Sequence, residues 1–187
     1  MRRVALWIIL ALALSSCSLR ARELTNLEPI ETLCITLNDG RVKIIACAAV
    51  RDEDNVPLVF QMEGDTVSDA VEKLKSLPEG KDAIFVHTKN ILCDTRYCAE
   101  RLDELKAFLR GSAELKKSAC VFCADDAAAL LDKIREGEGD ISADLEFLAD
   151  KSAKNEVTRA HEVCESGRIF AVGEQFGSVI PLGVERF

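Results

Sequence analysis

Residues 30–50 read IETLCITLNDGRVKIIACAAV, and this stretch decides the fold. Leu33, Ile35 and Leu37 alternate along the first arm, the two-residue period of a strand. Asn38-Asp39-Gly40 is a hairpin turn signal, because Asp and Gly accept the positive φ angles of a tight turn. The chain returns through Val42, Ile44, Ala46, Ala48 and Val50 on one face, with Lys43, Ile45, Cys47 and Ala49 on the other. Two largely apolar faces predict a sheet covered on both sides. A turn centred on Asp39-Gly40 sets Cys34 opposite Ile45, whereas one centred on Gly40-Arg41 sets it opposite Cys47.

Outward from the hairpin, the acidic stretch Arg51 to Asn55 reads as a loop, and Pro57 opens a third strand through Leu58, Phe60 and Met62. Asp65 or Thr66 can cap a helix whose stripe is Val67, Ala70, Val71, Leu74 and Leu77, stopped by Pro78 and Gly80. Strand segments follow at Ala83–His87 and Ile91–Cys93. Asp94 or Thr95 then caps a longer helix with Cys98, Leu102, Leu105 and Leu109 inward, ending at Gly111. Ser118–Ala124 is a further strand. Asp125 or Asp126 caps a helix burying Ala127, Leu130, Leu131 and Ile134, and Gly137 and Gly139 break the pattern. Two shorter helices are expected near Ser142–Lys151 and Glu156–Glu165, then an apolar stretch Ile169–Val172 and a Gly-rich tail, Gly173–Gly183. A hairpin followed by strand–helix–strand units predicts one α+β domain over residues 28–187, with a mixed, mostly antiparallel β-sheet packed by amphipathic helices.

The N-terminus reads differently. Arg2 and Arg3 precede the eleven-residue apolar run Val4–Leu14, too short to cross a bilayer about 30 Å thick as a helix but right for a secretory leader. The run ends in Leu14-Ser15-Ser16-Cys17, the order of a bacterial lipobox: small residues fit the signal peptidase, and the Cys17 thiol takes a diacylglyceryl group. The reading is a lipoprotein signal peptide at 1–16, then lipidated Cys17 and a polar tether to residue 27, placing the protein on the extracytoplasmic face of a cell membrane. A simple leader cut near Ala11 or Ala13 is the alternative.

The 187 residues carry 24 Lys+Arg against 32 Asp+Glu, a net charge of −8. Removing residues 1–16 takes two arginines and no acid, so the mature chain carries 22 against 32, or −10. Such a balance argues against nucleic acid as a partner. It also requires acyl chains, at about 0.8 kcal/mol per buried CH2, to do the anchoring that a basic patch would otherwise do. Aromatic residues make up 5%, too few for a stacking platform.

Eight cysteines and two histidines are the candidates for chemistry. Cys120 and Cys123 match C-x-x-C, but in a strand positions i and i+3 face opposite ways, so packing as small apolar residues is the favoured reading. His161 and Cys164 share a helix face and could join Cys120 and Cys123 at zinc only if that strand geometry fails. Cys93 and Cys98 could pair. Lipidation of Cys17 leaves seven cysteines, an odd number, so at least one thiol is free or paired between molecules. His87 reads as a strand-end or core residue, and Asp125-Asp126 and Asp103-Glu104 as caps and solvated faces. No catalytic residue, cofactor site or metal site is expected, and the chain reads as a non-enzyme.

The order of these elements and their residues resembles the N-terminal domain of Ger(x)C spore-germination lipoproteins, the C subunits of germinant receptors. The resemblance rests on Cys17 with the Arg/Glu-rich run Arg20-Ala21-Arg22-Glu23-Leu24, on Glu63-Gly64-Asp65-Thr66 at a strand-to-helix passage, and on Val86-His87 before an acidic helix. It covers residues 14–135 well and the remainder weakly. The family's Trp-Asp after the cysteine is missing, one residue is inserted, and Val86 replaces a glycine. The further domains of those proteins do not follow Phe187, so a short relative or a truncated product is expected. The resemblance implies a lipid-anchored protein of the spore inner membrane that assembles with polytopic germinant-receptor subunits of the A and B types, with Ser18–Leu27 and the adjoining domain face as the contact surface. A solitary lipoprotein that binds a ligand or envelope component is the alternative, and a thiol redox protein using Cys120 and Cys123 a third reading.

Overall fold

The Asp39-Gly40 reading of the turn holds. In the computed structural model, which describes residues 27–51, 57–77, 81–136, 139–151, 157–175 and 178–187, Asp39 has φ 48° and Gly40 φ 79°. Two positive φ angles are those of a type I′ turn, whose twist matches that of the strands it joins. Strand β1 (Leu27–Asn38) therefore pairs antiparallel with β2 (Arg41–Arg51), Asn38 opposite Arg41 and Cys34 opposite Ile45. The leader, Cys17, the tether to Asn26, the loop residues Asp52–Asn55, Pro78, Gly80, Gly137, Glu156 and the Val50 and Ile134 side chains lie outside the described residues.

β1 starts three residues before the expected Ile30. Leu27, Glu28 and Pro29 pair in parallel with β4 (Asp82–Ile84), while the ladder to β2 begins only at Ile30. This one-sided pairing tolerates a proline, which has no N–H to offer a second neighbour. β3 (Pro57–Gly64) lies antiparallel on the far side of β2. On the other side of β1 come β5 (Asn90–Asp94), β6 (Cys120–Ala124) and β8 (Arg168–Gln175), each parallel to the one before. The sheet closes with β9 (Ser178–Arg186), antiparallel to β8, and the short β7 (Thr158–Arg159) pairs antiparallel with the start of β6. The order is β3-β2-β1-β5-β6-β8-β9, a mixed sheet whose longest ladders are antiparallel and whose centre is parallel.

Helices cover both faces. α1 (Val67–Leu74), α2 (Thr95–Gly111) and α5 (Ala160–Ser166) pack on the face carrying Leu33, Ile44, Ile91, Val121 and Ile169. α3 (Ala127–Glu136) and α4 (Ile141–Lys151) pack on the face carrying Cys34, Ile45, Leu92, Phe122 and Phe170. The Phe122 and Phe170 rings meet edge to face at 6.3 Å between centroids. The result is a single three-layer α+β domain.

The N-terminal caps are more intertwined than the spacing predicts. Thr66 caps α1, its Oγ1 accepting the Asp69 N–H at 3.1 Å, and Asp126 accepts the Ala129 N–H at 2.8 Å for α3. Asp94 precedes α2 but makes no side-chain bond to it; its carboxylate instead accepts Ala127 N at 2.7 Å and Leu37 N at 3.2 Å. One expectation fails at the C-terminal end. The segment read as a helix from Glu156 enters the sheet at Thr158–Arg159, and the helix itself spans Ala160–Ser166 before Gly167 at φ 66°. The Gly-rich stretch, to which the sequence assigns no element, completes β8 at Gly173–Gln175 and forms the edge strand β9 from Ser178, where a register shift opposite Ala171 and Val172 leaves Leu182 unpaired and keeps Pro181 and Gly183 in the ladder.

Candidate functional site: thiols and a polar cleft

β5 and β6 each supply residues to opposite faces, and this separates the cysteines. Cys123 packs with the α1–α2–α5 side and Cys120 with the α3–α4 side, so the C-x-x-C pair does not converge. No disulfide joins Cys34, Cys47, Cys93, Cys98, Cys120, Cys123 and Cys164, and all but Cys164 are buried. Burial pushes the Cys34 thiol well up, with Cys47 nearby adding to it. The Cys93 thiol is raised by its hydrogen bond with Cys98 and then by burial. Burial also raises Cys120, outweighing the Arg159 guanidinium 2.7 Å from its sulfur. Raised thiols hold their protons and are poor nucleophiles.

No three His, Cys, Asp or Glu side chains converge on a metal position among the described residues. His87 is exposed on a turn after β4, closed by the Thr88 N–H to Phe85 C=O bond at 3.0 Å; it is neither in a strand nor in the core. His161, on α5, donates from Nδ1 to the Lys117 carbonyl at 3.1 Å. Of the two acidic pairs, Asp126 is a cap, as expected, whereas Glu104 accepts the Val67 N–H at 2.7 Å at the start of α1 and pairs with Arg101 at 3.2 Å.

The structure brings together a group that the sequence reading did not single out. At the N-terminal ends of β5 and β6 lies an open cleft of about 560 Å³. Its floor is Thr88, Asn90 and Ala119, all buried. Thr88 Oγ1 donates to the Ile30 carbonyl at 3.0 Å, and Asn90 Nδ2 to the Ser142 carbonyl at 3.4 Å. One wall is the α4 face with Glu146, Ala149 and Asp150. The other holds Lys116, Ser118, Arg159 and His161. Lys89 closes the rim through two contacts to Glu146, at 3.0 and 3.1 Å, and one to Glu31 at 3.7 Å, and the Glu146 bond raises its ammonium further. Arg159 donates from one nitrogen to the Ser118 carbonyl at 3.1 Å and to the Cys120 sulfur.

The lining residues come from four stretches of chain, 88–90, 116–119, 146–150 and 159–161, and of these only His161 stands out in the sequence. The one signal available in the sequence is that β5 and β6 are adjacent parallel strands, which sets their leading ends side by side. No helix among the described residues is long and apolar enough to cross a membrane. Comparison with protein families, characterised proteins and solved structures returns no match for this chain.

Proposed function

We propose that the protein is an extracytoplasmic lipoprotein of the Ger(x)C type, held to a cell membrane by acyl chains on Cys17 and acting without catalysis, by assembly with polytopic germinant-receptor subunits of the A and B types. The observation that carries the reading is the co-linear order of the lipobox at Leu14–Cys17, the Glu63-Gly64-Asp65-Thr66 passage and the Val86-His87 segment before an acidic helix. The geometry gives the second of these a physical meaning. Gly64 ends β3 against the backbone of α1, where an added Cβ would stand 2.5 Å from Ala70 N. Thr66 then caps the helix.

Two experiments test the reading separately. Radiolabelled palmitate is expected to enter the wild-type chain and not Cys17→Ala, and Cys17→Ala is expected to leave the membrane fraction. Affinity capture from spore membranes is expected to recover multi-pass receptor subunits, and recovery of none overturns the assembly reading. Capture of a small ligand by a solitary lipoprotein is the second reading, and the polar cleft is the observation in its favour.

A further inference from the structure

Charges that pair with one another inside a cleft leave nothing for a ligand, so the informative groups are those left over. At the rim Lys89 is already shared between Glu146 and Glu31, one ammonium to two carboxylates. Asp150 and Lys116 have no ion-pair partner among the described residues, and Arg159 keeps guanidinium N–H groups beyond those given to Ser118 and Cys120. His161 commits Nδ1 to Lys117 and keeps Nε2. The cleft therefore presents on the α4 wall a carboxylate, Asp150, without an ion-pair partner among the described residues, and on the opposite wall Lys116 and the remaining N–H groups of Arg159, above a floor that includes buried Thr88 and Asn90.

We propose that this cleft binds a small zwitterion, a molecule carrying one ammonium and one acid group. A simple anion at the cationic wall would face Asp150, and a simple cation at Asp150 would face Lys116 and Arg159. An apolar ligand would strip water from three charges and return no hydrogen bond. A zwitterion answers both walls: its acid takes the arginine fork and Lys116, and its ammonium takes Asp150. The two buried alanines, Ala119 and Ala149, leave room for a short apolar portion between the ends. At about 560 Å³ the cleft lies within the size range of small-molecule sites, roughly 300–1,000 Å³. Two sources carry this chemistry, free amino acids and the ethanolamine phosphate headgroup of a lipid.

The inference rests on the ligand-capture reading and does not require receptor assembly, so its failure leaves the affinity-capture result untouched. The test is calorimetric titration of the full chain in detergent with each of the common amino acids and with O-phosphoethanolamine, alongside the single-charge analogues propionate and ethylamine. Saturable binding of at least one zwitterion is expected, with both analogues about tenfold or more weaker, the equivalent of one charge-assisted contact. Asp150→Asn and Lys116→Gln change groups without ion-pair partners, so both are expected to melt as wild type and to weaken binding about three- to tenfold. Arg159→Gln is expected to weaken it further. Flotation of the Cys17→Ala chain with phosphatidylethanolamine but not phosphatidylcholine vesicles assigns the headgroup as the source; binding of a free amino acid without flotation assigns the soluble one. No binding of any zwitterion at 10 mM, roughly the weak end of small-ligand affinity, overturns the proposal, as does equal binding by wild type and both single variants.

Discussion

Gly64 shows how much one missing side chain can matter. An added methyl would sit 2.5 Å from Ala70 N and 2.9 Å from Ala70 Cα, and a backbone contact cannot rotate away. Gly64→Ala is therefore expected to lower the unfolding free energy in urea by about 1–3 kcal/mol, as overpacking does elsewhere. Asp94 acts through charge. Burial pushes its carboxyl up, against the pull of the Ala127 and Leu37 amides. The folded chain thus holds this proton more tightly than the unfolded one, whose carboxyl titrates near pH 4. The Asp94 contribution is complete below that pH and is lost as pH rises through the folded value. Urea midpoints measured from about pH 4 upward should fall less steeply for Asp94→Asn than for wild type. The thiols give a third test. Native alkylation read by mass spectrometry should modify Cys164 first, and unfolding without reductant should expose the six buried thiols as well, since no disulfide joins these seven cysteines.

At the scale of elements, the hairpin was readable because every local preference agreed: alternation in both arms, Asp-Gly between them, and apolar residues on both faces of the return strand. Gly40 stands at φ 79°, so Gly40→Val should cost about 1–2 kcal/mol in thermal or urea unfolding without shifting the Cys34–Ile45 register, which two buried faces hold. The helix stripes were readable for the same reason, as Val67, Ala70, Val71 and Leu74 are all buried. What escaped was decided by neighbours distant in sequence. Thr158 and Arg159 have no strand pattern of their own and extend because β6 offers an open partner. Ser178–Arg186 contains Pro181 and Gly183, and only the bulge opposite β8 makes it a strand. The cleft escaped for the same cause. Lys116, Asp150 and Arg159 carry no motif, and the stacking of parallel strands brings them together.

For the whole molecule, the sheet directions gather the strand-end charges at two poles. β1, β5, β6 and β8 all start at one pole, where Lys81, Lys89, Lys116, Lys117, Arg159 and Arg168 collect. At the opposite pole the strands run into Asp39, Asp65, Asp94, Asp125 and Asp126. Glu28, Glu31, Glu146 and Asp150 stand among those cations, and Lys81 and Lys89 pair with three of them, so the pole where β1 begins is mixed in charge. Raising salt to 1 M, where screening acts within about 3 Å, is expected to leave the wild-type chain in the membrane fraction, because acyl chains rather than this pole would hold it.

The same directions place Leu27 and the C-terminal Phe187 at one pole, since β9 returns beside β8 until Arg186 stands opposite Arg168 and Phe187 N donates to the Gly167 carbonyl. Force applied between those two points would pull across the strands rather than along them. It would reach the β8–β9 ladder one hydrogen bond at a time, from Arg186 toward Ser178. Under tension the domain should therefore unzip from its β9 edge at low force and leave the central parallel strands standing, the behaviour of a mechanical fuse.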